Sequence, residues 1–80
     1  MLSKYLLGFL KSNEITKAQF ARAMGVTPSA ASYWMSGKRI PQNKYLDRLV
    51  NYISDSSGQK YRSVLLAVME CIMQDSKVTP

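Results

Sequence analysis

Residues 16–41 read TKAQFARAMGVTPSAASYWMSGKRIP, and this stretch decides the fold. Phe20 and Met24 lie four apart, so they share one face of a helix. Ala31 and Trp34 lie three apart and share a face of a second helix. Between the halves sits Gly25, which takes a positive φ without steric cost, so the chain can turn directly after Met24. Thr27 suits an N-cap and Pro28 the first helical position, so the next helix can begin at once. The small Ala21 lets the two helices approach closely. Thr16 with Gln19 three residues later forms a possible capping box for the first helix. The expected helices run from about Lys17 to Met24 and from Pro28 to about Ser36, with Gly37 as the residue that ends the second.

Two short helices joined by a tight turn make a helix-turn-helix (residues 16–37), whose second helix can enter a DNA major groove. The residues Phe20-Ala21, Met24-Gly25-Val26-Thr27, Ser32, Trp34 and Gly37-Lys38 resemble the helix-turn-helix of the lambda-repressor/Cro-like (XRE-type) class of small phage and plasmid regulators. The resemblance implies an all-α, five-helix domain spanning most of the chain. The sequence departs from the usual family pattern at Lys17, often Gln, at Pro28, and at Ala31, where a larger β-branched residue is common.

The flanking segments supply the other helices. Leu2, Tyr5, Leu6, Phe9 and Leu10 recur at steps of three and four, giving an amphipathic helix from Leu2 to about Lys11. The N-terminal MLSKYLLGFLKS lacks a small-residue cleavage site, so it reads as a helix of the domain rather than a signal peptide. After Pro41, a helix from about Gln42 to Ser54 carries Tyr45, Leu46, Leu49, Val50 and Ile53 on one side. Asp55-Ser56-Ser57-Gly58 reads as a break. A last helix from about Gln59 to Asp75 carries Tyr61, Val64, Leu65, Val68 and Ile72 on one side and Leu66, Met69 and Met73 on a second flank. Val78-Thr79-Pro80 is expected to fray.

The whole chain sets bounds on class. Eighty residues suit one domain, 1–80. A chain of that length buries only about 60% of its unfolded surface. The single cysteine, Cys71, forms no internal disulfide, and a reducing cytoplasm (bacterial, or the host's for a phage protein) is the expected compartment. No apolar run approaches the ~20 residues of a membrane span. The formal charge is +6, and it is unevenly placed. Residues 1–50 hold Lys4, Lys11, Lys17, Arg22, Lys38, Arg39, Lys44 and Arg48 against Glu14 and Asp47. Residues 51–80 balance Lys60, Arg62 and Lys77 against Asp55, Glu70 and Asp75. The excess lies with the half of the chain that contains the helix-turn-helix and favours a polyanion as partner.

Catalytic chemistry has little to work with. There is no histidine, the five carboxylates are scattered, and no ligand set suits zinc. No enzymatic activity, cofactor or metal is expected.

DNA binding has the groups it needs. The exposed positions of the second helix are Pro28, Ser29, Ser32 and Tyr33, the candidates for base contact. Serines tolerate more than one base, so modest direct readout supplemented by DNA shape is expected. Thr16, Lys17, Thr27, Lys38, Arg39, Asn43 and Lys44 flank that helix and are the candidates for phosphate contact. Trp34 could stack on a single-stranded base, but its spacing from Ala31 places it in the core. Leu66, Met69 and Met73 are candidates for a dimer interface within 59–75, because proteins of this type bind paired half-sites.

These features lead to an expected homodimeric repressor, Cro-like, on a pseudo-palindromic operator of double-stranded DNA. No small-molecule effector is expected at this length. Two alternatives stay open: a protein-interaction module, such as an antitoxin that grips its partner through the last helix, and a binder of structured RNA.

Overall fold

Cap chemistry sets where the central helices start. In the computed structural model, which describes residues 2–77, the helices are α1 (Leu2–Ser12), α2 (Lys17–Met24), α3 (Pro28–Ser36), α4 (Asn43–Ser57) and α5 (Tyr61–Lys77). Among the described residues there is no strand. The Gln19 N–H donates to Thr16 Oγ1 at 3.1 Å, and the Thr16 N–H donates to Gln19 Oε1 at 2.9 Å, completing the capping box. The Ala30 N–H donates to Thr27 Oγ1 at 3.2 Å, and Pro28 follows at N1. Gly25 lies at φ +70°, and the Val26 N–H reaches back to the Ala21 carbonyl at 3.0 Å. That bond satisfies a carbonyl the helix end would leave unpaired.

Three boundaries differ from the sequence reading by two residues or more, and the simplest is the end of the last helix, at Lys77 rather than Asp75. The fourth helix does not stop at Ser54: it continues through Asp55 and Ser56 to Ser57. Ser57 Oγ donates to the Ile53 carbonyl at 2.6 Å, one turn back, so this serine completes the last turn instead of breaking it. The stop is Gly58, at φ +74°. The fifth helix accordingly begins at Tyr61 rather than Gln59. Val78-Thr79-Pro80 lies outside the described residues.

The core draws on every helix. Leu2, Leu6, Phe9 and Leu10 come from α1; Phe20, Ala21 and Met24 from α2; Ala31, Trp34 and Met35 from α3. Leu49, Val50 and Ile53 come from α4, and Val64 and Val68 from α5. Met35 was not among the expected core residues, although Ala31, Trp34 and Met35 follow i, i+3, i+4. Tyr61, expected on the apolar row of the last helix, is exposed instead, and its hydroxyl donates to Asp47 Oδ1 at 2.7 Å.

A chain of rings runs through this core. Phe9 meets Tyr52 edge-on at 5.8 Å between centroids, Tyr52 meets Phe20 at 5.9 Å, and Phe20 meets Trp34 edge-on at 6.1 Å. Trp34 then meets Tyr45 at 5.5 Å. Contacts of this geometry contribute about 0.5–1.5 kcal/mol each beyond area burial. They tie α1, α2 and α3 to α4, so the orientation of α3 is set by the whole core. α5 packs on α4 and α1. The Leu2 N–H donates to Asp75 Oδ2 at 3.1 Å, a carboxylate at the positive end of the α1 dipole.

Candidate nucleic-acid interface

α3 is divided lengthwise. Ala31, Trp34 and Met35 are buried, Trp34 to 5% exposure, while Pro28, Ser29, Ser32 and Tyr33 are all exposed. The division follows from spacing, since the buried positions occupy one side of a 3.6-residue period and the exposed ones the other. The four base-contact candidates therefore share the free side of a helix whose back is fixed.

The phosphate-contact candidates Thr16, Lys17, Thr27, Lys38, Arg39, Asn43 and Lys44 are exposed as well. Thr16 and Thr27 use their hydroxyl oxygens to accept cap hydrogen bonds. A hydroxyl that accepts still has its O–H to donate, so each can also reach a phosphate oxygen. Thr27, Ser29, Tyr33, Arg39 and Lys44 line one half-open cleft of about 430 Å³, with Trp34 in its wall. The cleft brings together candidates from both sets. Thr16, Lys17, Pro28, Ser32, Lys38 and Asn43 do not line it.

Two of the cations rest on rings. The Arg39 guanidinium carbon lies 5.1 Å from the centre of the Tyr33 ring, and Lys44 Nζ lies 5.2 Å from that of Tyr45. An ordered cation loses less freedom when it meets an anion than a freely rotating one does.

Arg48 is a contributor that sequence reasoning missed. Its Nη1 donates to the Met24 carbonyl at 3.2 Å, bracing the end of α2 from α4. A Cβ at Gly25 would lie 2.8 Å from that same Nη1, so Gly25 supplies both the left-handed conformation and the space for the brace. Nothing local in the sequence joins positions 24 residues apart. On α5, Leu66, Met69 and Met73 are exposed, Leu66 to 63% and Met73 to 57%. Among the described residues, no group of three or more His, Cys, Asp or Glu side chains could hold a metal ion. No helix there is long and apolar enough to cross a membrane.

A protein-family model described as helix-turn-helix matches residues 9–54, more than half of the chain. The match takes in the end of α1, all of α2 and α3, and most of α4. Together with the five-helix architecture it agrees with a lambda-repressor-like all-α fold. Comparisons with curated proteins and with solved structures gave no significant match.

Proposed function

The chain belongs to the helix-turn-helix family, a family of DNA-binding regulators, and on that premise we propose a Cro-like repressor that binds a pseudo-palindromic operator as a homodimer. The observation that carries this reading is the divided α3. One side is fixed in the core, and the other presents Pro28, Ser29, Ser32 and Tyr33, with exposed Lys17 before α3 in the chain and exposed Lys38, Arg39 and Lys44 after it. In the proposed complex α3 lies in the major groove with these side chains against base edges. Thr16, Lys17, Thr27, Lys38, Arg39, Asn43 and Lys44 hold phosphates and fix the register. Bound in this way, the protein excludes polymerase from overlapping promoter DNA and works in the cytoplasm without cofactor or effector.

The dimer rests on α5. Leu66, Met69 and Met73 form an uncovered apolar flank on a helix whose Val64 and Val68 are already buried in the domain. A second copy would cover the flank and place two α3 helices on half-sites about one helical turn, 10 bp, apart. The same flank also suits a second reading, a module that grips a partner protein through α5.

Selection from randomised DNA duplexes at moderate salt tests the proposal. A two-fold symmetric enriched motif with half-sites about 10 bp apart is expected. A single enriched half-site would remove the dimer. Salt-sensitive background binding with no motif would overturn sequence-specific recognition and favour the partner-protein reading.

A further inference from the structure

Tyr33 is held by the loop that follows it. Its carbonyl accepts the Gly37 N–H that closes α3. The same oxygen accepts the Lys38 N–H at 3.0 Å, the Arg39 N–H at 3.3 Å and the Ser36 hydroxyl at 3.2 Å. These bonds fold residues 37–39 back over the last turn of α3. The fold-back carries the Arg39 side chain to the Tyr33 ring, with the guanidinium carbon 5.1 Å from the ring centre. The planar, weakly hydrated guanidinium is well suited to lie on an aromatic ring. Among the described residues the Tyr33 hydroxyl has no hydrogen-bond partner, which leaves it free to meet another molecule.

We propose that Arg39 is a positioning residue for Tyr33 and thereby a determinant of sequence preference, resting on the DNA-binding reading above. An exposed tyrosine ring can turn among staggered rotamers about its first side-chain bond. A base contact through that ring is selective only if one rotamer is favoured before binding. The guanidinium favours one rotamer, and the carbonyl bonds hold the arginine backbone in register with the tyrosine. A lysine or arginine that merely neutralises a phosphate lowers affinity for every sequence alike when it is removed. Arg39 instead sets which sequence is preferred, and Lys38 next to it provides the contrasting case of a plain phosphate contact.

The test compares base-preference profiles and salt slopes for the full chain and for Tyr33→Ala, Arg39→Ala, Arg39→Lys, Lys38→Ala and the Tyr33→Ala/Arg39→Ala double variant. Arg39→Ala is expected to flatten preference at the base pair where Tyr33→Ala flattens it. The loss should be about two- to fivefold, the range of a cation–π contact at an exposed site. The double variant should lose no more preference there than Tyr33→Ala alone. Arg39→Lys keeps the charge, so it should keep the salt slope while flattening the same base pair in part. It also serves as the second probe if Arg39→Ala folds poorly. Lys38→Ala should weaken all sequences equally.

A uniform loss in Arg39→Ala with its profile intact would overturn this inference and leave the DNA-binding reading standing. Additive loss of preference in the double variant, or a profile indifferent to Tyr33→Ala, would do the same. Absence of any enriched motif for the unaltered chain would overturn both.

Discussion

The turn from α2 to α3 and the turn from α4 to α5 both pass through a left-handed glycine, Gly25 at φ +70° and Gly58 at φ +74°. α4 braces both with neighbouring residues. Arg48 donates to the Met24 carbonyl beside the first turn, and Asp47 accepts the Tyr61 hydroxyl beside the second. The braces differ in reach and in chemistry. The first crosses to backbone that Gly25 leaves bare, and a Cβ there would collide with it. The second is an exposed contact between side chains, and a Cβ at Gly58 would meet nothing within 4 Å. The second turn also relies on its own serines: Ser54 Oγ donates to the Gln59 carbonyl at 2.6 Å. The turn that aims α3 is thus joined to a distant helix, whereas the turn that aims α5 is held largely by its neighbours in sequence.

The largest expected effect tests whether the core behind the first turn holds α3. Trp34 is buried between Phe20 and Tyr45, so Trp34→Ala should cost about 3–5 kcal/mol in chemical denaturation. Tyr61→Ala, beside the second turn and exposed, should cost far less. Equal losses would mean that the two turns are tied to the core to the same degree.

The glycines give the next effect in size. A left-handed alanine costs about 1–2 kcal/mol, and that alone is the expectation for Gly58→Ala. Gly25→Ala should cost about 1 kcal/mol more, because displacing Arg48 also forfeits its hydrogen bond. In an Arg48→Ala background the excess should vanish. If it persists in that double-mutant cycle, the brace is not what distinguishes the turns.

Thr27→Ala comes third, at about 1 kcal/mol, since it removes the side-chain cap of α3. Gln42→Ala should be close to neutral, because Gln42 caps α4 without a side-chain hydrogen bond. Thermal melts of the pair would show whether α3 depends on its own sequence more than α4 does. Matching shifts would count against that.

The same contrast explains what the sequence disclosed. The bounds of α2 and α3 were legible to the residue because Thr16, Gln19, Thr27, Gly25 and Gly37 each act within four residues of where they stand. The free side of α3 was legible from its period. The end of α4 was not, since Asp55-Ser56-Ser57 has a turn-like composition while the actual stop depends on Gly58 and on Ser57 bonding backward to Ile53. Arg48 looked like one more solvated cation. Its role needs Met24 and α4 side by side, which is tertiary information. Tyr52 carried no visible sign that it would connect Phe9 to Phe20. For the interface, exposure and charge were legible from pattern and composition. The seat of Arg39 on Tyr33 was not, because it depends on how the loop after Gly37 closes.

The smallest effect reads the second brace by pH, through the proton that the Tyr61 hydroxyl shares with Asp47. Donating its hydroxyl to Asp47 raises the Tyr61 pKa above the ordinary 10.0, with desolvation and the Asp47 charge adding to the shift. A pKa raised by folding means that the folded chain holds this proton more tightly than the unfolded one. The associated stability is therefore complete below pH 10.0 and is lost as pH rises through the folded value. Tyr5 shifts in the same direction, chiefly through burial, so some alkaline loss remains in any Tyr61 variant. Melting temperatures of the unaltered chain and of Tyr61→Phe should differ at neutral pH and converge above pH 10.0, as the tyrosine ionises and its hydroxyl no longer has a proton to share. Parallel curves across that range would show that the Asp47 contact contributes nothing, leaving the α4–α5 turn to Gly58 and its serines alone. Convergence would mean that the helix carrying Leu66, Met69 and Met73 is seated in part through a titratable contact.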